Sequence, residues 1–302
     1  MTTLRGRLTR HLLKHSLGRK FRKAGRSVTD LRKLDGLLIR YQRPPRGTKV
    51  SPVSIDGLHA EWIEGPGVAS DCAVLFLHGG GFIMGSPAVD LELAGRISEA
   101  GGVRVLSPAY RLAPEHAFPA ALDDTKAAYR WLLDQGHEPS RLVIGGESSG
   151  AGLALQALLS MRDEGLPMPK AAFFISPVTD WVAFDGESYS TRASLDPLLS
   201  LSQCRYTASL YVGPHPEETP LFQPTTLDLA GLPPMWIQVG DHEVLLSDAE
   251  QLAKRAAHAG VDVDFKVWPG MWHVFQGAAR IVPEARVSIQ ELGRYLRRHL
   301  SR

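Results

Sequence analysis

The chain has 302 residues, 44% of them hydrophobic, and a formal net charge of +2. That length can bury a full core in one large α/β domain or two smaller ones, and no apolar run nears the roughly 20 residues needed to span a bilayer. The N-terminus lacks the continuous apolar stretch of a secretory signal, which points to the cytoplasm, and two distant cysteines, Cys72 and Cys204, predict free buried thiols rather than a disulfide framework or a metal site.

Charge is unevenly spread. Residues 1–33 hold 11 Lys and Arg against the single acid Asp30, whereas the remainder carries 23 basic and 31 acidic residues. Leu4, Leu8 and Leu12, then Leu13, Leu17 and Phe21, recur at helical spacing, so a basic amphipathic helix is expected despite Gly6, Gly18 and Gly25. Such a helix suits a membrane surface, but the preferred expectation is that its leucines pack on the body of the protein with its arginines in water. Nucleic acid is disfavoured, because no aromatic interleaving accompanies the charges and the rest of the chain is acidic.

After Pro44 and Pro45, residues 50–55 and 58–63 flank Asp56-Gly57 and predict a tight hairpin. Apolar runs at 73–77, 103–106, 142–144, 172–175, 236–239 and 265–268 predict buried strands. Helical patterns at 91–100, 120–134, 152–162, 248–259 and 285–299 lie between most of them or close the chain. This alternation implies a mostly parallel sheet covered on both faces. Residues 180–229 break the rhythm, punctuated by Pro197, Pro214, Pro216, Pro220 and Pro224, and are expected to form an insertion over the C-terminal edge of the sheet.

Gly146-Glu147-Ser148-Ser149-Gly150 fits Gly-x-Ser-x-Gly with Ser148 at its centre; Ser149 cannot be centred, because Glu147 and Ala151 flank it where glycines are required. The physics is a sharp strand-to-helix turn that lifts the serine above the sheet at a helix N-terminus. Alone the motif is weak, since a glycine-rich start to a helix produces it too. His78-Gly79-Gly80-Gly81-Phe82, which follows the strand at 73–77, is far less accidental. Its glycines expose backbone N–H groups suited to an oxyanion, and Gly79 and Gly80 are the expected donors, joined by the N–H of Ser149. His78 is expected to orient the loop rather than act as a base, and no Gly-Lys-Ser/Thr completes a phosphate-binding loop.

These residues, with Tyr110-Arg-Leu-Ala-Pro-Glu-His-Ala-Phe-Pro119 and Gly270-Met-Trp-His-Val-Phe275, resemble the hormone-sensitive-lipase-like branch of the α/β-hydrolases, the bacterial family IV esterases, from about residue 50 to the C-terminus. The resemblance implies an α/β-hydrolase fold with an eight-stranded sheet, a helical cap built from residues 1–43 and 180–229 on a catalytic domain spanning 44–302, and carboxylester hydrolysis. It implies no metal or organic cofactor, a small-molecule ester as partner, no stable membrane insertion, and a homodimer formed through the last strand. It also explains the basic N-terminal helix without a membrane. Within the Tyr110 run, Arg111 and Glu115 are expected to pair beneath the site, a structural role.

A neutral serine needs a base within hydrogen-bond reach and a third group to fix the base's tautomer. With the order Ser, acid, His, the base is expected to be His273, after the strand at 265–268 and the Pro269-Gly270 turn. The family's Asp-Pro-Leu-x-Asp pattern matches at Glu243 and Leu245, with Glu in place of Asp, Val in place of Pro and the second acid one residue late. Glu243 is therefore the expected acid, Asp241 the runner-up, and Asp248 a helix-start acid. Glu147 and Gly81 are expected to support the turn and the loop. Activity should rise with pH through roughly 6 to 7.5 as His273 becomes neutral. The resemblance further implies short or medium acyl chains, with a covering cap and Met271, Trp272, Phe82 and Trp181 near the pocket. The rival readings are a ligand receptor, a lactone or amide hydrolase, and a lipase recruited to membranes by the basic helix.

Overall fold

Asp56 and Gly57 both adopt positive φ, 50° and 90°, and close a hairpin between β1 (Lys49–Ile55) and β2 (Leu58–Glu64), the left-handed geometry that an Asp-Gly pair supplies at least cost. In this computed structural model, which describes residues 2–24, 27–213 and 219–300, six further strands follow: β3 (Ala73–Leu77), β4 (Arg104–Pro108), β5 (Leu142–Glu147), β6 (Ala171–Ile175), β7 (Met235–Gly240) and β8 (Val263–Trp268). They form one eight-stranded sheet in the order β1-β2-β4-β3-β5-β6-β7-β8. Both pairings of β2 are antiparallel and all others parallel.

Side-chain alternation in the central strands feeds two cores. Ala73, Leu75 and Leu77 of β3 face one, with α5 (Ala120–Asp134), α6 (Ser149–Asp163) and α9 (Leu246–His258). Val74 and Phe76 face the other, with α4 (Leu91–Gly101) and α10 (Pro283–Leu300). Each large apolar side chain so buried contributes about 1.5–3 kcal/mol relative to exposure. The strand order reverses between β3 and β5, since β3 continues to β4 on one side while β5 continues to β6 on the other. Crevices at such switch points, beyond the carboxyl ends of the strands, are where ligands bind in open α/β sheets. Here the glycine loop after β3 and the serine turn after β5 meet at that point.

The N-terminal segment forms three helices, and the apolar pattern of residues 4–21 is divided between the first two: α1 (Leu4–His15), α2 (Leu17–Ala24) and α3 (Val28–Tyr41). The break falls at Ser16, whose hydroxyl turns back onto the carbonyl of Leu12 at 2.7 Å, the local competition that makes serine a poor helix interior residue. Only part of the apolar pattern packs inward. Leu13, Leu17 and Phe21 line a cavity over the sheet, but Leu4, Leu8 and Leu12 are exposed by 76%, 56% and 57%, which corrects the expectation that the leucines pack on the body. Gly25 and the prolines Pro214 and Pro216 lie outside the described residues.

Within the 180–229 insertion, α7 (Ser188–Thr191) and α8 (Leu201–Val212) emerge, the second a helix that the surrounding prolines disguised. The Tyr110 run is also corrected. Arg111 does not pair with Glu115: its guanidinium binds both oxygens of Asp124 on α5, at 2.7 to 3.0 Å. Glu115 instead meets Arg32 of α3 at 2.6 Å. Arg32 also donates to the carbonyls of Ile83 and Ala113, at 2.8 and 2.9 Å, and so fastens the N-terminal helices to the end of the glycine loop. Cys72 and Cys204 are free, and half-buried rather than fully buried.

Candidate active site

The turn at Ser148 is held under strain. Its backbone lies at φ 55°, ψ −124°, a region that costs a residue with a side chain on the order of 1–3 kcal/mol and persists only where neighbours fix it. Those neighbours are visible. Ser148 N–H donates to Ile175 O at 2.8 Å, and Val178 N–H donates to Ser148 O at 3.3 Å. The flanking glycines allow close approach, since a Cβ on Gly146 would fall 2.5 Å from Leu77 O, and one on Gly150 would fall 2.2 Å from the carbonyl oxygens of both Leu77 and His78.

Two loops bring the other groups to the serine. His273, after β8, places Nε2 at 2.9 Å from Ser148 Oγ. Its Nδ1 lies 2.9 Å from Glu243 Oε2, on the loop after β7. Glu243 is completely buried, and its second oxygen accepts from Gly240 N–H at 2.5 Å and from Ser176 Oγ at 2.8 Å. Ser176, with φ 49° at the end of β6, also takes the N–H of Val274 at 3.3 Å, so one hydroxyl ties the acid loop to the histidine loop. A lone serine after a strand gives no sequence signal for this role.

Asp241, the alternative acid, does not reach His273. Its Oδ1 accepts from Gly270 N–H at 2.5 Å, while Asp241 N–H and His242 N–H bind Trp268 O and Met271 O, each at 3.1 Å, zipping the two loops together. Asp248 lies in the first turn of α9 and accepts from Thr179 N–H at 2.8 Å. Asp196, another residue the sequence did not single out, accepts from Val244 N–H at 3.0 Å and from Leu198 and Leu199 N–H at 2.9 Å. It ties the 180–229 segment to the residue after Glu243, and burial pushes its carboxyl upward against the opposing pull of His273.

The glycine loop differs from expectation at one position. Gly79 N–H is not available to a substrate, because it donates to Glu147 Oε1 at 2.6 Å, which removes Gly79 from the expected donors. Gly81 N–H donates to Ser149 Oγ at 2.8 Å, leaving the N–H of Gly80 without a protein acceptor among the described residues. Ser149 itself opens α6, where the first N–H groups lack helical acceptors and the helix dipole favours negative charge. His78 stacks on Tyr110 with ring centres 4.1 Å apart, and its Nδ1–H donates to Gly79 O at 2.8 Å. Tyr110 in turn donates to His78 O at 2.7 Å, so the loop is held from both sides. Burial pulls His78 down to about 4 and keeps it neutral.

Behind the loop, burial and the neighbouring Asp90 carboxyl raise Glu147 well above the usual carboxylate range, opposed by the Gly79 N–H. Burial likewise pushes Asp90 up to about 6, with the hydrogen bond from Glu147 opposing. Two carboxyl groups in one dry site share a proton rather than both ionise, and the pair holds Gly79 in place with one charge instead of two. Asp90 has no motif around it and was missed.

The serine opens into a cavity of about 370 Å³, lined in part by Leu13, Leu17, Phe21, Trp181, Phe184 and Trp272. Phe82 and Met271, expected at the pocket, lie elsewhere: Phe82 stacks on Tyr211 at 3.6 Å, and Met271 is buried against Gly6 of α1. The profile of the alpha/beta hydrolase fold family matches residues 74–277, the span that carries the glycine loop, the serine, the acid and the histidine. The chain belongs to the hormone-sensitive-lipase-like α/β-hydrolases. It is 42% identical to an acetyl-hydrolase of Streptomyces hygroscopicus over 245 residues, 81% of each chain. It is 34% identical to the carboxylesterase/phospholipase LipF of Mycobacterium tuberculosis (strain ATCC 25618 / H37Rv), covering 85% of this chain and 71% of that one. An esterase of the bacterial hormone-sensitive lipase family superposes with a TM-score of 0.90 at 40% identity, over 96% of this chain and 98% of that one. The hydrolase is accordingly a carboxylic ester hydrolase, with the serine turn and the glycine loop at the switch point of its sheet.

Proposed function

We propose that the hydrolase cleaves short- to medium-chain acyl esters by two-step acyl transfer, with Ser148 as nucleophile, His273 as base and Glu243 as the acid that fixes the imidazole. The observation that carries this reading is the unbroken line from Glu243 Oε2 through His273 to Ser148 Oγ, 2.9 Å at each step. Glu243 accepts from Nδ1–H, which leaves Nε2 free to take the serine proton as the hydroxyl attacks the ester carbonyl. The N–H groups of Gly80 and Ser149 receive the oxyanion, and their fixed orientation in a dry site stabilises it without reorganisation. His273 then returns its proton to the departing alcohol, and water, activated by the same imidazole, releases the acid.

The acyl range rests on the cavity. At about 370 Å³, it lies at the small end of the ~300–1,000 Å³ that ligand pockets span, and its walls are mainly apolar, with leucine and aromatic side chains among them. A short acyl group fits such a space, and a long chain has to leave through the mouth. The test is hydrolysis of p-nitrophenyl esters from acetate to palmitate by the unaltered protein, Ser148→Ala and Ser149→Ala. Activity peaking on the short esters, abolished in Ser148→Ala and retained in Ser149→Ala, is expected. Turnover that survives Ser148→Ala would sink the mechanism, and a peak on palmitate would sink the size argument.

A further inference from the structure

One feature of the N-terminal helices is not used by ester hydrolysis. Leu4, Leu8 and Leu12 recur every fourth residue on α1 and project into solvent, exposed by 76%, 56% and 57%. The opposite side of α1 is docked. Gly6 is buried against Met271, Arg10 donates to Gly270 O at 2.8 Å, and Thr3 caps the helix while its hydroxyl reaches Glu284 at 3.0 Å. That docking site is the loop leading to His273. A few residues on, Leu13, Leu17 and Phe21 form part of the cavity wall. The N-terminal helices therefore wall the cavity with one set of apolar residues and present a second set to solvent.

Charge selects the occupant. Residues 1–29 contain nine Lys and Arg and no Asp or Glu, whereas the chain beyond residue 33 has an excess of acid. Arg5 and Arg7 are exposed beside the leucines. An apolar stripe flanked by cations matches an anionic lipid surface, with leucines entering the acyl boundary and basic side chains at the headgroups. A second copy of the chain fits less well. An isologous pair would lay this stripe against its own copy and bring Arg5 and Arg7 of both chains together as like charges, and among the described residues the other exposed large apolar side chains, such as Val50, Phe265 and Val287, are scattered over β1, β8 and α10.

We propose that α1 is an interfacial helix that docks the hydrolase on anionic lipid surfaces through Leu4, Leu8 and Leu12 and its flanking cations, bringing the cavity wall formed by Leu13, Leu17 and Phe21 close to the lipid. The helix lies on the surface and does not cross it, and among the described residues no helix is long and apolar enough to do so. Binding would collect apolar esters where the cavity is, and it goes beyond the proposed hydrolysis without depending on it.

The test is co-sedimentation of the full chain with vesicles of phosphatidylcholine alone and of phosphatidylcholine with one part in three phosphatidylglycerol. The comparison is between the unaltered protein and a variant carrying Leu4→Ser, Leu8→Ser and Leu12→Ser. Hydrolysis of a soluble acetate ester and Tm check that the variant is folded and active, as solvent-facing substitutions should leave it. The unaltered protein is expected to partition onto the anionic vesicles, less so at high salt, and the variant to lose at least ~100-fold in partition coefficient. No binding to anionic vesicles overturns the proposal. So does equal binding by the variant, which would leave only diffuse charge attraction. A dimer in vesicle-free solution that the three serines dissociate would assign the stripe to a second copy and overturn it as well. All three readouts are independent of whether Ser148 is the nucleophile.

Discussion

Replacing Glu243 by Gln changes no volume, yet the surrounding hydrogen bonds decide which way the new amide faces. Gly240 N–H and the Ser176 hydroxyl both donate to Oε1, at 2.5 and 2.8 Å, so the amide oxygen must take that side. The amide NH₂ is then turned toward His273 Nδ1, which lies 2.9 Å from the native Oε2. A donor facing Nδ1 forces the imidazole proton onto Nε2, where it points at Ser148 Oγ and cannot accept the serine proton. With the wrong tautomer selected, kcat is expected to fall by about 10⁴, equivalent to about 5 kcal/mol of transition-state stabilisation, while KM changes little. Glu243→Asp keeps the charge but withdraws the carboxylate by about 1.5 Å, one carbon–carbon bond, and a loss of about 10–100-fold is expected. Asp241→Asn retains an oxygen for Gly270 N–H and should cost less than about 3-fold. Steady-state hydrolysis of p-nitrophenyl butyrate, with circular dichroism as a folding control, measures all three. Near-native kcat in Glu243→Gln, or a collapse in Asp241→Asn, would refute the assignment of the acid.

Other outcomes follow from burial. His78 is held neutral in the fold with its pKa down to about 4, against about 6.5 in the unfolded chain, so between those values the unfolded state binds more protons. Its contribution is present above pH 6.5 and lost as pH falls toward 4, by about 3 kcal/mol, and urea titrations should show the gap between native protein and His78→Gln closing over that window. A gap that does not change with pH contradicts the burial argument. Asp248 runs the other way: burial raises it to about 7, so stability declines as pH rises from about 4 to 7, and Asp248→Asn should flatten that decline in the same titrations. Gly150→Ala places a methyl 2.2 Å from two carbonyl oxygens of the β3 end and is expected to lose about 4 kcal/mol or fail to fold, with Tm as the readout. Phe21→Ala removes a cavity wall residue and should shift the preferred acyl chain to greater length in an ester series, leaving acetate hydrolysis within about 3-fold.

Much of the sheet was legible because strands buried on both faces read as unbroken apolar runs, and every strand run in the sequence corresponds to one in the structure, within two residues at most boundaries. The serine turn and glycine loop were legible for a different reason: close backbone approach admits only glycine, and that requirement leaves a mark on composition. Hydrogen-bond direction leaves none. Nothing in His78-Gly-Gly-Gly tells which N–H will be taken by Glu147, and the geometry alone removed Gly79 from the expected donors. Ion-pair partners were similarly opaque, since Arg111 and Glu115 lie four apart in a segment that is not a helix, and each finds a partner on another element. Periodicity in residues 4–21 gave an apolar pattern correctly but neither the break at Ser16 nor the division of that pattern, with Leu13, Leu17 and Phe21 on the cavity and Leu4, Leu8 and Leu12 in water.

Much of the cavity wall comes from stretches of chain separate from those that carry the proposed reacting groups. Leu13, Leu17, Phe21, Trp181 and Phe184 precede or interrupt the sheet, whereas the serine, the glutamate and the histidine stand on its strand ends. Arg32 spans the seam, through the carbonyls of Ile83 and Ala113 and the Glu115 carboxylate. Exchanging the first forty-odd residues between related hydrolases that keep this arginine and its acceptors would thus recombine substrate preference with an unchanged catalytic engine, making the N-terminal segment a natural unit for chimeras.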